Sequence, residues 1–429
     1  MGHFKSRALA FFSLYNIVTF LNILFLFAVF FDVVVPFSRP LQSLFVVVMN
    51  ISYLIVTSRS NKRDHIRKVF SPYMLCILIY LLLIVVQIVI CMFQTNGDTM
   101  FFSLAILLIN FTFFFILSNK YNQIQTISSI IAPYKFIGIY TATASVFVFI
   151  LLTFGIIDIY SFQLDPYDFD MFERNAADQK FDLFYPLWLT FVTSIDRGVP
   201  FFGEFGSFTG LCHEPHISTL LATPALFFTL ANLRKHSMLL ILAFVFYSLI
   251  ATSVTNIILL PLCVIIYYFL VGSSRIAKAT IIVVGVLLLL SYELLIDLFG
   301  LQIVLLKFEV GNTSQATTSD LLTYMYSPQS FWGTGVMVNY VNSHSTDIGF
   351  ISFLLIVIYQ VSFYYGLIRL FLQKNIYSIY AIGILYFALH SIKLGQMAFQ
   401  YPYLLFVLFV SHIIYVESQK KTKINSEIV

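Results

Sequence analysis

Long apolar runs recur almost from end to end of this chain, separated by polar segments that are mostly short. A helix needs roughly 20 mainly apolar residues to cross a bilayer's hydrocarbon, so each run predicts a membrane-spanning helix. We read twelve, near 8–30, 41–57, 70–93, 100–118, 136–157, 210–232, 238–252, 254–271, 280–300, 348–371, 377–394 and 396–415. The first is too long for a signal-peptide core and lacks a small-residue cleavage site, so it is expected to remain as a span. The seventh and eighth are short and meet around Thr252 to Asn256, which predicts a tight pair; their merger into one helix would change the count. The last dozen residues read as a loose polar tail. The expected fold class is all-α, a single polytopic membrane domain over 1–429.

Lysine and arginine collect on alternate connections, the asymmetry that sets orientation in membranes. With the N-terminus inside, the cytoplasmic segments hold Lys5, Arg7, the cluster Arg59, Lys62, Arg63, Arg67 and Lys68, and later Arg234, Lys235, Arg275 and Lys278. Only Arg39, Arg174, Lys180, Arg197 and Lys307 fall outside, and Lys393 lies within a span. Both termini are thus expected in the cytoplasm. Two outside connections, 158–207 and 301–347, are far longer than any inside one. Long connections in compact proteins are usually functional or carry structure of their own.

Composition agrees: the chain is 59% hydrophobic and 10% charged, with mean hydropathy +0.90. Cys76, Cys91, Cys212 and Cys263 are scattered with no ligand spacing, which argues against structural zinc and a disulfide framework. Phosphate-binding loops of the GxxxxGK[ST] or GxGxxG type are absent. No metal, no cofactor and no nucleic-acid partner is expected.

Polar chemistry gathers at residues 195–221, IDRGVPFFGEFGSFTGLCHEPHISTLL. In lipid surroundings ionisable groups are costly and mark functional sites, so this stretch points to an anionic substrate at the outer face. Upstream, Asp158, Asp165, Asp168, Asp170, Glu173, Asp178 and Asp182 suit either a solvated acidic lid or a cation-attracting surface. The apolar run 185–193, YPLWLTFVT, is expected to lie in the membrane interface. Arg197 offers phosphate a rigid bidentate fork; its alternative is a salt bridge to the lid, Asp196 or Glu204. Pro215 suits a first helical turn, leaving His213 and Glu214 at the outer helix end, where free N–H groups and the dipole favour anions. His216 and Ser218 would line the same pocket, although Glu214 is also ordinary capping.

Asn342, His344 and Asp347 cluster before the tenth span. A histidine takes a proton near neutral pH, and a nearby aspartate orients it or acts as base. Asp347 as a plain N-cap is the alternative. Gly333 and Gly335 would let backbone approach a ligand. Glu293, Asp297 and Lys393, three residues after His390, fit interhelical charge pairing.

Arg197-Gly198, then HEP at 213–215, Ser253-Val254-Thr255 at the turn between two short spans, GTG at 333–335 and SHSTDIGF at 343–350 follow in order. Together they resemble the signature of Wzy-type O-antigen polymerases, over the middle and last thirds of the chain. The resemblance implies an all-helical membrane glycosyltransferase of the bacterial inner (cytoplasmic) membrane, with both long loops periplasmic. Its substrates would be oligosaccharide repeat units on undecaprenyl pyrophosphate, joined without a metal. It implies Arg197 as pyrophosphate ligand, assisted by the start of the sixth helix, and Glu214, His344 or Asp347 activating or orienting the acceptor hydroxyl; Glu204, His213, His216 and Asn342 are the further candidate substrate contacts. Membrane lipids, a chain-length regulator and a flippase are the implied partners. The second long loop departs from the pattern by offering Lys307 but no arginine. A lipid-linked oligosaccharide flippase and an O-antigen ligase are the rival readings. Against the flippase, the chain has no evident half-to-half correspondence.

Overall fold

The structure, a computed structural model, describes residues 26, 71–92, 125–164, 183–193, 206–212, 215–233, 237–271, 331, 349–373, 375–391 and 402–427. These residues are mostly helical. Eight helices occur among them: α1 (Pro72–Met92), α2 (Gln125–Thr153), α3 (Pro215–Leu230), α4 (Ser237–Ile250), α5 (Val254–Val271), α6 (Gly349–Phe371), α7 (Ile376–Ser391) and α8 (Pro402–Glu427). Each overlaps an expected span. The expected spans near 8–30, 41–57, 100–118 and 280–300 lie outside the described residues, apart from Leu26.

Helix α3 is buried along nearly its whole length, its hydroxyl residues included, as a helix enclosed by others must be. Helices α2, α4, α5 and α7 pack around it. Gly138 of α2 and Gly383 of α7 allow that closeness: an added Cβ at Gly138 would strike Ala225 Cβ, and one at Gly383 would lie 2.7 Å from the Phe228 ring. Small residues of this kind let helix backbones approach where lipid gives helices no hydrophobic drive to associate. Tyr134 Oη donates to the Leu221 carbonyl at 2.6 Å, a further link between α2 and α3. A second layer of α1, α6 and α8 joins the first through α7 and α2.

Among the described residues two helices, Ile131–Thr153 within α2 and α6, are long and apolar enough to cross a membrane. The exposed face of α6 runs Phe350, Leu354, Ile358, Val361 and Tyr365, an apolar helical stripe that meets a charge only in the last turn, where exposed Arg369 donates to Tyr365 Oη at 3.0 Å. A water-facing stripe would be polar.

Three boundaries follow the expectation closely. Helix α3 begins at Pro215. Helices α4 and α5 are separate, divided at residues 251–253 by a turn in which Thr252 takes φ +51°. Helix α6 begins one residue after the expected position. Two expectations are corrected. The tail is not loose, since α8 continues to Glu427; its Glu, Gln and Lys are good helix formers that hydropathy does not register. Helix α2 starts at Gln125, well before its apolar run.

The first long loop carries structure of its own. Two short 3-10 turns (Ile159–Phe162 and Pro186–Trp188) alternate with β1 (Gln163–Leu164), β2 (Leu183–Phe184), β3 (Phe191–Thr193) and β4 (Ser207–Gly210). The four strands form one antiparallel sheet in sequence order. The chain enters it through a Schellman turn closing α2: Gly155, at φ +64°, donates to the Leu152 carbonyl and Ile156 to that of Leu151. Asp158, expected in an acidic lid, instead caps the first turn by accepting from the Tyr160 N–H at 3.2 Å. The other six acids lie outside the described residues. The run 185–193 divides: Leu187 and Trp188 are exposed, whereas Phe191, Val192 and Thr193 are buried as β3. Pairing with β4 draws that half under the protein, against the expectation of a wholly interfacial stretch.

Candidate functional site

The short hairpins α4–α5 and α6–α7 leave no room for anything but antiparallel neighbours. Consequently the start of α3, the turn between α4 and α5, the end of α7, the start of α6 and the end of α2 gather at one end of the bundle. The sheet sits against the same end. These are the chain ends that the charge asymmetry assigns to the outer side.

A buried polar cluster joins three of them. Thr219 Oγ1, in the second turn of α3, lies 3.0 Å from the Pro215 carbonyl, 3.1 Å from Ser253 Oγ and 3.5 Å from His390 Nε2. A hydroxyl gives one proton and accepts two, so Ser253 or His390 must supply part of this bonding. One turn on, Thr223 Oγ1 donates to Asn256 Oδ1 at 3.2 Å, and Tyr386 Oη donates to the same oxygen at 2.5 Å. The ring of Tyr386 lies against that of His390, centroids 5.5 Å apart. Thr219, Asn256 and His390 are fully buried.

Asn256 Nδ2 is buried with no hydrogen-bond partner among the described residues. Exchanging the amide's two ends would pair the nitrogen and strand the oxygen, so one end is unmatched either way. Buried amides are normally satisfied, and an exception in a core asks for a role beyond packing. Among the described residues the cluster holds no Asp, Glu, Lys or Arg. It acts as a brace that fixes three helix ends relative to one another.

A second set of contacts seats the sheet on this brace. Ser207 and Thr252 share a short hydroxyl hydrogen bond, which ties β4 to the turn before Ser253. Ser145 and Thr190 pair at 2.9 Å, and Ser218 Oγ and Tyr247 Oη at 2.6 Å. Strands β3 and β4 are paired at Thr193 and Ser207. Both ends of segment 194–206, which contains Arg197 and Glu204, are therefore anchored at the cluster's edge. Residues 213–214 are bracketed likewise, by buried Cys212 and Pro215. Phe331, just before the GTG motif, accepts from the Ile351 N–H at 3.4 Å and stacks on Phe350 at the head of α6.

Of the expected site residues, His216 and Ser218 are described: His216 is half-buried in the first turn of α3, its carbonyl accepting from Thr219 Oγ1 at 3.1 Å, while Ser218, expected to line the pocket, is fully buried against Tyr247. Arg197, Glu204, His213, Glu214, Asn342, His344 and Asp347 lie outside the described residues, as do Glu293, Asp297 and Lys393. Thr219, Thr223, Asn256 and Tyr386 were not singled out from sequence. Their signal was there: Thr219 with Thr223, and Tyr386 with His390, are pairs four apart, one face of a helix, inside apolar runs.

Replacing Tyr386 with Phe should lower stability by about 1 kcal/mol, near the upper part of the range for interhelical hydrogen bonds in membranes. Combined with Asn256→Ala, the loss should be smaller than the sum of the two single losses, because both remove the same bond. Denaturant unfolding of the four proteins in mild detergent measures this; strict additivity would show that the pair does not interact.

No family model, curated protein or solved structure matches this chain.

Proposed function

We propose that this protein is a multi-pass enzyme of the bacterial inner membrane, an O-antigen polymerase of the Wzy type. It joins undecaprenyl-pyrophosphate-linked oligosaccharide repeat units at the periplasmic face. The observation that carries this reading is the Thr219–Ser253–His390 brace. It links the SVT turn to the helix that follows the HEP motif, beside the anchors of the segment containing Arg197. Motifs far apart in sequence are thereby supported by one buried cluster, at the end assigned outside. The apolar stripe of α6, free of charge from Phe350 to Tyr365, supports the membrane reading, with lipid in place of water as its surroundings.

In the reaction, a hydroxyl oxygen of one lipid-linked unit attacks the anomeric carbon of the growing chain on another lipid. The new glycosidic C–O bond forms as the bond to pyrophosphate breaks, and undecaprenyl pyrophosphate leaves. Glu214, His344 or Asp347 takes the hydroxyl proton, a contribution worth about 10²–10⁴-fold. Arg197 receives the charge that builds on the departing pyrophosphate, and Glu204, His213, His216 and Asn342 contact the substrate. The sugar–pyrophosphate bond supplies the driving force, so no nucleotide is needed.

The glycan profile of a deletion strain tests this. The polymerase reading expects surface glycan collapsed to one repeat unit, restored to a ladder by the intact gene. Units held on the cytoplasmic leaflet would indicate a flippase, and long polymer retained on the lipid carrier would indicate a ligase.

A further inference from the structure

The turn at Leu187 and Trp188 has two properties that together need a cause. Both residues take left-handed backbone conformations, φ 52° and 58°. Side chains with a Cβ meet a cost of roughly 1–2 kcal/mol each in that region. The result of this strain is to expose two large apolar side chains, Trp188 at 69%. A soluble loop would gain by doing the opposite.

The conformation is well held. Pro186 is buried and fixes the turn's base, and Trp188 donates its N–H to the Tyr185 carbonyl at 3.1 Å. Tyr185 stacks on Phe191 of β3 at 4.2 Å and meets the Trp188 ring edge-on at 5.2 Å. Burial, with the Tyr140 phenol adding, pushes the Tyr185 hydroxyl up to about 12, so it stays neutral. The other 3-10 turn lies alongside and exposes Tyr160, at 72%, its ring braced against Phe184.

The chain leads into this patch from an exposed apolar stripe on α2, through the 3-10 turn that lies beside Leu187 and Trp188. Phe136, Phe147 and Ile150 are exposed along that helix, and the stripe runs on through Phe154, at 76%, and Ile156 beyond the helix end. Among the described residues the one acid nearby, Asp158, is engaged in capping. A tryptophan and a tyrosine at the end of an apolar stripe have the chemistry of a membrane–water boundary: ring in the acyl region, N–H or O–H among the headgroups.

We propose that Leu187 and Trp188, with Tyr160, Phe154 and Ile156, form a foot seated in the interfacial region of the outer leaflet. The occupant of this surface is lipid. The foot fixes the depth of the sheet, and with it the anchors of segment 194–206, at the level of lipid-borne phosphates. This rests on reading α2 as a membrane span.

The chain has two tryptophans, Trp188 and Trp332, so Trp332→Phe leaves Trp188 as the sole tryptophan, excited selectively at the red edge where tyrosine does not absorb. In nanodiscs, phosphatidylcholine brominated near the glycerol end of its acyl chains should quench this emission about twofold, and more than lipid brominated near the terminal methyl. Aqueous iodide should quench it weakly. Emission indifferent to both brominated lipids overturns the foot, whether iodide quenches it (a solvated loop) or does not (a protein contact, such as a second copy). Trp188→Phe, Trp332→Phe, Phe147→Trp probes α2 itself. Absence of quenching there contradicts the span, whereas quenching at 147 without quenching at 188 overturns the foot alone. If Trp332→Phe does not fold, the difference between wild type and Trp188→Phe gives the same readout.

Discussion

Arg197→Ala is expected to reduce surface polysaccharide to single repeat units while protein level and membrane insertion stay normal. The departing pyrophosphate gains negative charge as its bond to the sugar breaks, and a guanidinium meets that charge with two parallel N–H donors. Removing one donor of this kind from a pre-organised site costs about 10²–10³-fold in turnover. Polymerisation competes with transfer of unfinished glycan, so a loss of that size shortens chains to the minimum. Lysine keeps the charge but loses the fork, and Arg197→Lys should give an intermediate, shortened ladder. Folding should be spared because the anchors of this segment, Thr193 paired with Ser207 and Ser207 bonded to Thr252, do not involve residue 197. A normal ladder from Arg197→Ala at normal protein level would contradict the assigned role.

Gly210→Ala should be the most damaging single-methyl change in the described residues. Gly210 has φ +65°, and its added Cβ would collide with Thr141 Cγ2 and lie 2.8 Å from Ser218 Oγ and 3.3 Å from Tyr247 Oη. Those last two atoms form the hydrogen bond that joins α3 to α4. Left-handed backbone costs roughly 1–2 kcal/mol, and forced overpacking adds about 1–3 kcal/mol. Gly155→Ala is the matched control, because Gly155 has φ +64° but nothing within 4 Å of its added Cβ. Thermal midpoints and size-exclusion profiles in detergent should show a small loss for Gly155→Ala. Gly210→Ala should show a large loss with aggregation. Equal losses would mean that backbone strain alone, and not the close fit of β4 to the helices, is what Gly210 provides.

The parts of the fold legible in sequence were those written in hydropathy and proline. Pro215 has no N–H to offer a helix interior, so it marked the start of α3; the polar break at 252–256 marked the turn between α4 and α5. The early start of α2 and the late end of α8 escaped because helix propensity continues where hydropathy stops. The sheet escaped because strands of two to four residues have no room to display an alternating pattern. Half of the run 185–193 then became buried through pairing that no local signal contains.

The candidate site was legible in its charges and motifs but not in its brace. Arg197, Glu214 and His344 stand out because charge is rare in this chain. Thr219, Thr223, Asn256 and Tyr386 are neutral, and hydroxyls in apolar helices commonly bond their own backbone, as Thr141 does to Ile137 and Thr153 to Phe149. Only spatial convergence of three helix ends distinguishes the cluster from such self-satisfied residues. The pairs four apart were the available clue, and Ser253 in the SVT turn was the one member that the motifs pointed to.

All of the functional reading depends on the polar end of the bundle facing the periplasm. Single-cysteine variants Arg197→Cys, Glu214→Cys and His344→Cys test this most directly, using a membrane-impermeant maleimide on spheroplasts. Cys76, Cys212 and Cys263 are buried, which keeps background low once Cys91 is replaced by alanine. All three positions should label from the outside without permeabilisation. Labelling of any one only after the cytoplasmic side is opened would contradict a periplasmic glycan polymerase.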